Sequence, residues 1–208
     1  MKLYTHPLSG NGHRVGALLN LLNIEHEVEI VNLPGGAQKA PEYLALNPMG
    51  QVPVLVDGDV TLRDSSAILT YIAMKYDAAR TWLPNDAVKT AYVQQWLSNS
   101  VNEIVSGPFT LRVIKLLGSK ADYDTAKAKT ERLFGDLFEP HLAKNDWLVG
   151  DAPTLADIAN YSSIAVAHEG EFSLDPYPAI KAWLARVEAI KGFTPMPAAA
   201  DIFAAMEK

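Results

Sequence analysis

Asn47-Pro48-Met49-Gly50-Gln51-Val52-Pro53-Val54-Leu55, followed shortly by Asp64-Ser65-Ser66-Ala67-Ile68, is the stretch on which the fold turns. Val52 to Leu55 reads as an apolar strand entered through a proline, which has no N–H to give a ladder and is confined to a strand's start or edge. The backbone groups of Gln51 and Val52 are then left outside the ladder. If the Val52-Pro53 bond is cis, as tight turns sometimes hold it, the N–H and C=O of Val52 face outward and can pair with an extended peptide. Val54 to Asp57, a turn at Gly58-Asp59 and Val60 to Leu62 lead on to Asp64-Ser65. There a helix begins, and its free N–H groups favour an anion such as a carboxylate. The two halves describe a pocket for a short acidic peptide.

On the N-terminal side, Lys2 to Thr5 is a short alternating segment, and His6 to Gly12 is a loop by its Pro, Gly and Asn content. Val15, Leu18, Leu19 and Leu22 fall at helical spacing up to Asn23, and Glu27 to Val31 reads as a strand. Gly35-Gly36 marks a turn and Pro41 to Leu46 a short helix. With the helix from Ser65 to Tyr76, the order is β-α-β-α-β-β-α. A helical crossover makes the first two strands parallel, and the two-residue turn makes the last two antiparallel.

Pro84 breaks the pattern between Asp77 and Asp86, so the linker is placed at residues 78–86, between domains at 1–77 and 87–208. Beyond it the signal is all helical: about Asp86 to Leu117, Tyr123 to Asn145, Thr154 to Ala167 and Pro178 to Ile190. Pro108 should kink or divide the first of these. Thr154-Leu155-Ala156-Asp157 is a capping box with Asp in place of Glu, a structural role for Asp157. The tail from Pro195 to Ala200 is expected to be irregular.

Composition narrows the function classes. The 208 residues are about half apolar, as in ordinary globular proteins. A net charge of −6 without basic runs argues against a nucleic-acid partner. No cysteine is present, which removes disulfides, thiolate ligands and any protein-thiol nucleophile. His6, His13, His26, His141 and His168 lack metal-ligand spacing, so no metal is expected. Neither a signal core nor an 18-residue apolar run appears, so no membrane is expected and the cytoplasm is the expected compartment.

N-P-x-G-x-V-P-x-L, a hairpin, then Asp-Ser before an Ala-Ile-containing helix resembles the glutathione-binding half of the cytosolic glutathione transferases. Gly150 to Ala159 resembles the cap of a buried helix in their second domain, and the likeness extends from Lys2 to about Phe193. The resemblance implies an N-terminal thioredoxin-like domain followed by a C-terminal helical bundle. It also implies glutathione as co-substrate, a small electrophilic hydrophobic second substrate, a role in detoxification and a homodimer.

The family needs a thiolate at neutral pH, and without cysteine that thiol must be the substrate's. A thiol of pKa about 8.5 is roughly 3% ionised at pH 7, and lowering it by about two units raises this to roughly three quarters. Two units correspond to about 2.7 kcal/mol, which one hydrogen bond to a charged acceptor largely supplies. His6-Pro7-Leu8-Ser9-Gly10-Asn11-Gly12-His13-Arg14 looks most like serine-type transferases, such as the plant phi class, and like bacterial classes that use an Asn here. Ser9 is therefore the expected catalytic hydroxyl and Asn11 a second donor, with Tyr4 the rival and Ser9 as a plain helix cap the bland alternative.

The resemblance carries glutathione contacts onto Gln38, Lys39, Gln51, Val52, Pro53, Asp64 and Ser65. Asp64 and Ser65 would hold the γ-glutamyl end, where the family more often has Glu at the first position. Val52 would pair with the cysteinyl backbone, and Lys39 would face the glycine carboxylate. Arg14 is either structural or local electropositive support. Phe109 and Arg112, beside Pro108, are the expected second-substrate residues. A glutathione-dependent peroxidase, disulfide reductase or isomerase on the same scaffold, and a non-enzymatic adaptor, are the competing readings.

Overall fold

Alternation along Lys2-Leu3-Tyr4-Thr5 sends Leu3 and Thr5 to one face and Lys2 and Tyr4 to the other. This short strand is the hinge of the first unit. The computed structural model describes residues 1–206. Its chain falls into two compact units, Met1–Ala78 together with the segment from Lys191 onward, and Ala79–Ile190. The C-terminal segment thus joins the first unit, whereas the sequence suggested a second domain running unbroken from residue 87.

In the first unit β1 (Lys2–Thr5) is followed by α1 (Gly10–Leu21), β2 (Glu27–Ile30), α2 (Pro41–Leu46), β3 (Val54–Asp57), β4 (Val60–Leu62) and α3 (Ser65–Tyr76). The strand order is β2-β1-β3-β4. β1 runs parallel to β2, and β3 is antiparallel to both of its neighbours, so the sheet is mixed as the connections required. Leu3 pairs with Leu55, and both are buried under Val15, Leu18 and Leu19 of α1 and Ile68, Leu69 and Ile72 of α3. On the opposite face Val31, Tyr43 and Val54 form a smaller core with Tyr4, Leu33 and Leu46.

Two contacts lock helices to this sheet. Gly12 lies so close to Thr5 that any Cβ there would overlap the threonine hydroxyl, so glycine lets the first turn of α1 rest on the end of β1. Asp57, at the end of β3, accepts from Tyr71 (2.7 Å), Lys75 (2.7 Å) and Tyr76 (2.5 Å), tying the hairpin to the last turn of α3. These donors hold the Asp57 carboxyl well below the usual carboxylate range, Lys75 contributing most.

The tail is not irregular throughout. α10 spans Ala199–Met206, and Met196, Ala199 and Ile202 are buried. His13 Nε2 lies 2.8 Å from the Thr194 carbonyl and its ring meets Phe193 edge-on, fastening this segment to α1.

The second unit is entirely helical among its described residues: α4 (Ala87–Val101), α5 (Thr110–Leu117), α6 (Tyr123–Arg132), α7 (Glu139–Leu142), α8 (Leu155–Ala165) and α9 (Pro178–Glu188). The expected helix from 86 to 117 is divided. A wide turn at Val105–Phe109 separates its parts, with Gly107 at φ −110° and ψ −107° directly before Pro108. A second wide turn, Leu133–Phe138, joins α6 to α7, and α7 stops short of the expected Asn145.

The capping box at Thr154 and Asp157 is formed, and it does more than cap. The fully buried Asp157 also accepts from Leu148 N (3.0 Å) and Trp183 Nε1 (2.9 Å), so one carboxylate joins the loop, α8 and α9. Burial pushes this carboxyl up, against the pull of its donors. No helix among the described residues is long and apolar enough to cross a membrane.

Two outcomes follow. Asp157→Ala leaves several buried donors unpaired and should destabilise by about 3–5 kcal/mol, with Asp157→Asn costing less, measured by urea denaturation. Burial holds the His13 imidazole below its usual range, so folding favours its neutral form. That stabilisation is present above about pH 6.5 and is lost as pH falls toward the lower folded value. Wild type should therefore lose stability relative to His13→Gln on acidification below about pH 6.5, and parallel pH profiles would count against it.

Candidate functional site

The register of the sheet gathers one set of chain ends. Tyr4 pairs with Val54 and Thr5 with Ile30, while Leu55 pairs with Leu62. The loops leaving β1, β2 and β4 and the loop entering β3 therefore share one end of the sheet. Those four connections carry Ser9 and Asn11, Gln38 and Lys39, Gln51 to Pro53, and Asp64 and Ser65 respectively. Nine residues far apart in sequence converge for a topological reason.

Ser9 is the N-cap of α1. Its Oγ accepts from Gly12 N at 3.0 Å, and its backbone N–H donates to the His6 carbonyl at 2.8 Å. Capping uses a lone pair and leaves the hydroxyl proton to be donated elsewhere, so the cap and the catalytic reading are compatible. The N–H groups of Gly10 and Asn11 in the same first turn have no intrahelical acceptor, which adds to the positive end of the helix. Tyr4, the rival hydroxyl, lies on the other face of the sheet, packed edge-on against Tyr43 at 6.2 Å.

The Val52-Pro53 bond is cis. Pro53 is buried and Val52 half-buried. The ladder begins at Val54, and the Val52 backbone makes no hydrogen bond among the described residues. The adjoining Gln51 carbonyl, by contrast, accepts from both Tyr43 OH (2.8 Å) and Asn47 Nδ2 (2.7 Å). Sequence reasoning missed this pair: Tyr43 reads as one more apolar position of a short helix, and Asn47 as ordinary turn chemistry before a proline. Gly50 sits at φ +59°, where a Cβ would come within 2.9 Å of the Gln38 carbonyl. The turn and the Gln38 segment thus touch backbone to backbone.

Gln38 Oε1 and Ser66 Oγ are shielded from solvent without a protein partner among the described residues. Lys39 is exposed at the end of the short helical turn Ala37–Lys39. Asp64 caps α3, one oxygen accepting from Ala67 N at 2.9 Å, and Ser65 beside it is 3% exposed. Arg14 is buried, and burial lowers its guanidinium to about 10 while the Asp64 carboxylate pulls it up. It is a charge built into the core near the cap of α3.

The two expected second-substrate residues both lie in the second unit. Arg112 is 5% exposed and its Nε lies 2.5 Å from Glu169 Oε2 inside the second unit. A guanidinium paired with a buried carboxylate helps to fix the packing of this unit. Phe109, half-buried, ends the wide turn after Pro108. A cavity of about 240 Å³ lies elsewhere in the second unit, between α4 and Leu137, and includes none of the expected site residues. No cluster of three or more His, Asp or Glu suited to a metal occurs among the described residues.

Comparison with known proteins meets this geometry. Residues 8–75 match the glutathione S-transferase N-terminal domain and residues 100–191 the glutathione S-transferase C-terminal domain. The chain is 37% identical over 203 residues to glutathione S-transferase 3 of Zea mays, covering 93% of this chain and 91% of that one. It is similar to the glutathione S-transferase structure from Pseudomonas fluorescens at a TM-score of 0.88 and 31% identity, over 95% and 98% of the two chains. A glutathione transferase homologue from Drosophila mojavensis with bound glutathione aligns at a TM-score of 0.87 and 26% identity, over 98% and 94%. With both halves of the chain matched and a relative this similar along almost its whole length, the chain belongs to the glutathione S-transferase family.

Proposed function

We propose that this transferase conjugates glutathione to electrophilic, hydrophobic small molecules, with Ser9 activating the thiol. The observation that carries the reading is the Ser9 hydroxyl. Its lone pair is engaged by Gly12, its proton is uncommitted among the described residues, and it stands at a helix N-terminus on the sheet end where the Val52 backbone is open to them. A donor so placed stabilises a thiolate twice, by its own hydrogen bond and with the positive end of α1 behind it. Asn11, in the first turn, supplies a second donor.

The fit of the tripeptide rests on groups that lack protein partners among the described residues. The Val52 N–H and C=O suit an extended cysteinyl backbone. The first turn of α3 and the Ser65 hydroxyl suit the γ-glutamyl carboxylate, and the free oxygen of Asp64 faces its ammonium directly or through a water, Asp being shorter than the usual Glu. Gln51, Pro53, Gln38 and Lys39 frame the rest, with Lys39 the cation for the glycine end. Once ionised, the sulfur attacks the electrophilic carbon, the S–C bond forms, and the leaving group departs with its electron pair. The residues of the chain bind, orient and lower the thiol's pKa; the reagent is the substrate's own sulfur. Phe109 and Arg112 are the candidate acceptor contacts, with Arg112 held in place by Glu169.

A homodimer belongs to the same reading. Met74, Val88 and Tyr92 are each more than half exposed, which suits surfaces that another subunit covers. Sedimentation equilibrium should give about twice the 22.7 kDa chain mass; a monomer at micromolar concentration removes this part.

Ser9→Ala should lower kcat with a chloronitroaryl acceptor about 10- to 150-fold, the equivalent of one charge-assisted hydrogen bond, and raise the apparent pKa of kcat/KM by one to two units. The KM for glutathione should move by less than about threefold. Unchanged turnover would take Ser9 out of the role. Parallel assays with an organic hydroperoxide and a mixed disulfide decide among chemistries, since turnover with those alone would replace conjugation by reduction.

A further inference from the structure

The Gln51 carbonyl is held by two side chains that have no other evident task at the site. Tyr43, 7% exposed, lies in the apolar core with Val31 and Val54, where a phenylalanine ring would pack equally well. Its hydroxyl donates to the Gln51 carbonyl at 2.8 Å. Burial raises this phenol to about 12, so it stays protonated and donating at any physiological pH.

Asn47, 1% exposed, is fixed from both sides. Its Oδ1 accepts from Met49 N at 3.0 Å, which compels Nδ2 to be the atom facing the Gln51 carbonyl at 2.7 Å. Its backbone is tied as well, N to the Tyr43 carbonyl and O to Gly50 N, each at 2.9 Å. The donor therefore reaches its acceptor from a rigid turn.

Within a planar trans peptide the carbonyl and the next N–H point in opposite directions. Anchoring the Gln51 carbonyl inward fixes the Val52 N–H outward. Two donors on one carbonyl also polarise the peptide unit, which strengthens the N–H on its far side as a donor. That N–H has no partner within the described residues.

We propose that Tyr43 and Asn47 are positioning residues for glutathione, acting through the Gln51–Val52 peptide to aim the Val52 N–H at the tripeptide backbone. The inference rests on the glutathione reading above and deepens it. It separates affinity from chemistry: the clamp sets how well the tripeptide is held, and Ser9 sets how reactive its sulfur is.

The test is isothermal titration of the full chain with glutathione, paired with steady-state kinetics, for wild type, Tyr43→Phe, Asn47→Ala and the double variant. Tyr43→Phe should weaken glutathione binding about 3- to 10-fold, the equivalent of one neutral hydrogen bond. Its kcat at saturating glutathione and its KM for the acceptor should stay within about twofold. Asn47→Ala should weaken binding at least as much. The double variant, which leaves the carbonyl unpaired, should lose more than the product of the single losses.

A purely structural role would lower the melting temperature of Tyr43→Phe and leave glutathione affinity unchanged, and that result overturns the clamp. Should the double variant fail to fold, Tyr43→Phe decides alone, since it removes a single oxygen from an otherwise unchanged ring. Wild type that binds no glutathione sinks the underlying reading and this inference with it; wild type that binds, beside a Tyr43→Phe that binds equally, sinks the clamp only.

Discussion

The pairing of β1 between a parallel neighbour and an antiparallel one is the constraint from which the rest of the first unit follows. In a sheet whose strands all ran parallel, the loop entering β3 would lie at the opposite end from the loop leaving β1. Because β3 runs against β1, Pro53 and Val54 stand beside Tyr4 and Thr5. The parallel crossover brings the end of β2 to the same place, and the hairpin returns β4 there. The absence of a Cβ at Gly12 then allows α1 to begin directly on Thr5, which sets Ser9 at that edge.

Electrostatics at this edge differ from those of the whole chain. The protein carries a net charge of −6, yet the sheet end collects the N-termini of α1 and α3 with the buried Arg14 close by. An acidic surface discourages polyanions, while oriented N–H groups and one desolvated guanidinium favour a single small anion. Recognition of a carboxylate and activation of a sulfur draw on the same physics, since both need donors that point at developing or resident negative charge and reorganise little.

The helical unit uses buried polarity for a different end. Asp157 collects donors from a loop, a helix start and Trp183, and Arg112 is matched to Glu169. Each fixes how segments pack. A cation at helical spacing beside Pro108 faces solvent or the core according to what lies opposite, and for Arg112 that is Glu169, 57 positions away. Phe109, with the same sequence signal, carries no such commitment.

Sequence alone determined the order of elements, the mixed pairing of the strands, the break at Pro108, the capping box and the helix start at Asp64-Ser65. These depend on local rules, such as the period of apolar positions, the missing N–H of proline and the side chains that suit a helix start. Only the tertiary structure decided that Tyr43 and Asn47 meet at one carbonyl, that Tyr4 faces away from α1, that Arg112 pairs with Glu169 and that Phe193 and Thr194 meet His13. Each of those is a contact between segments whose approach is set by packing, and no local pattern encodes the direction in which a buried side chain finds its partner.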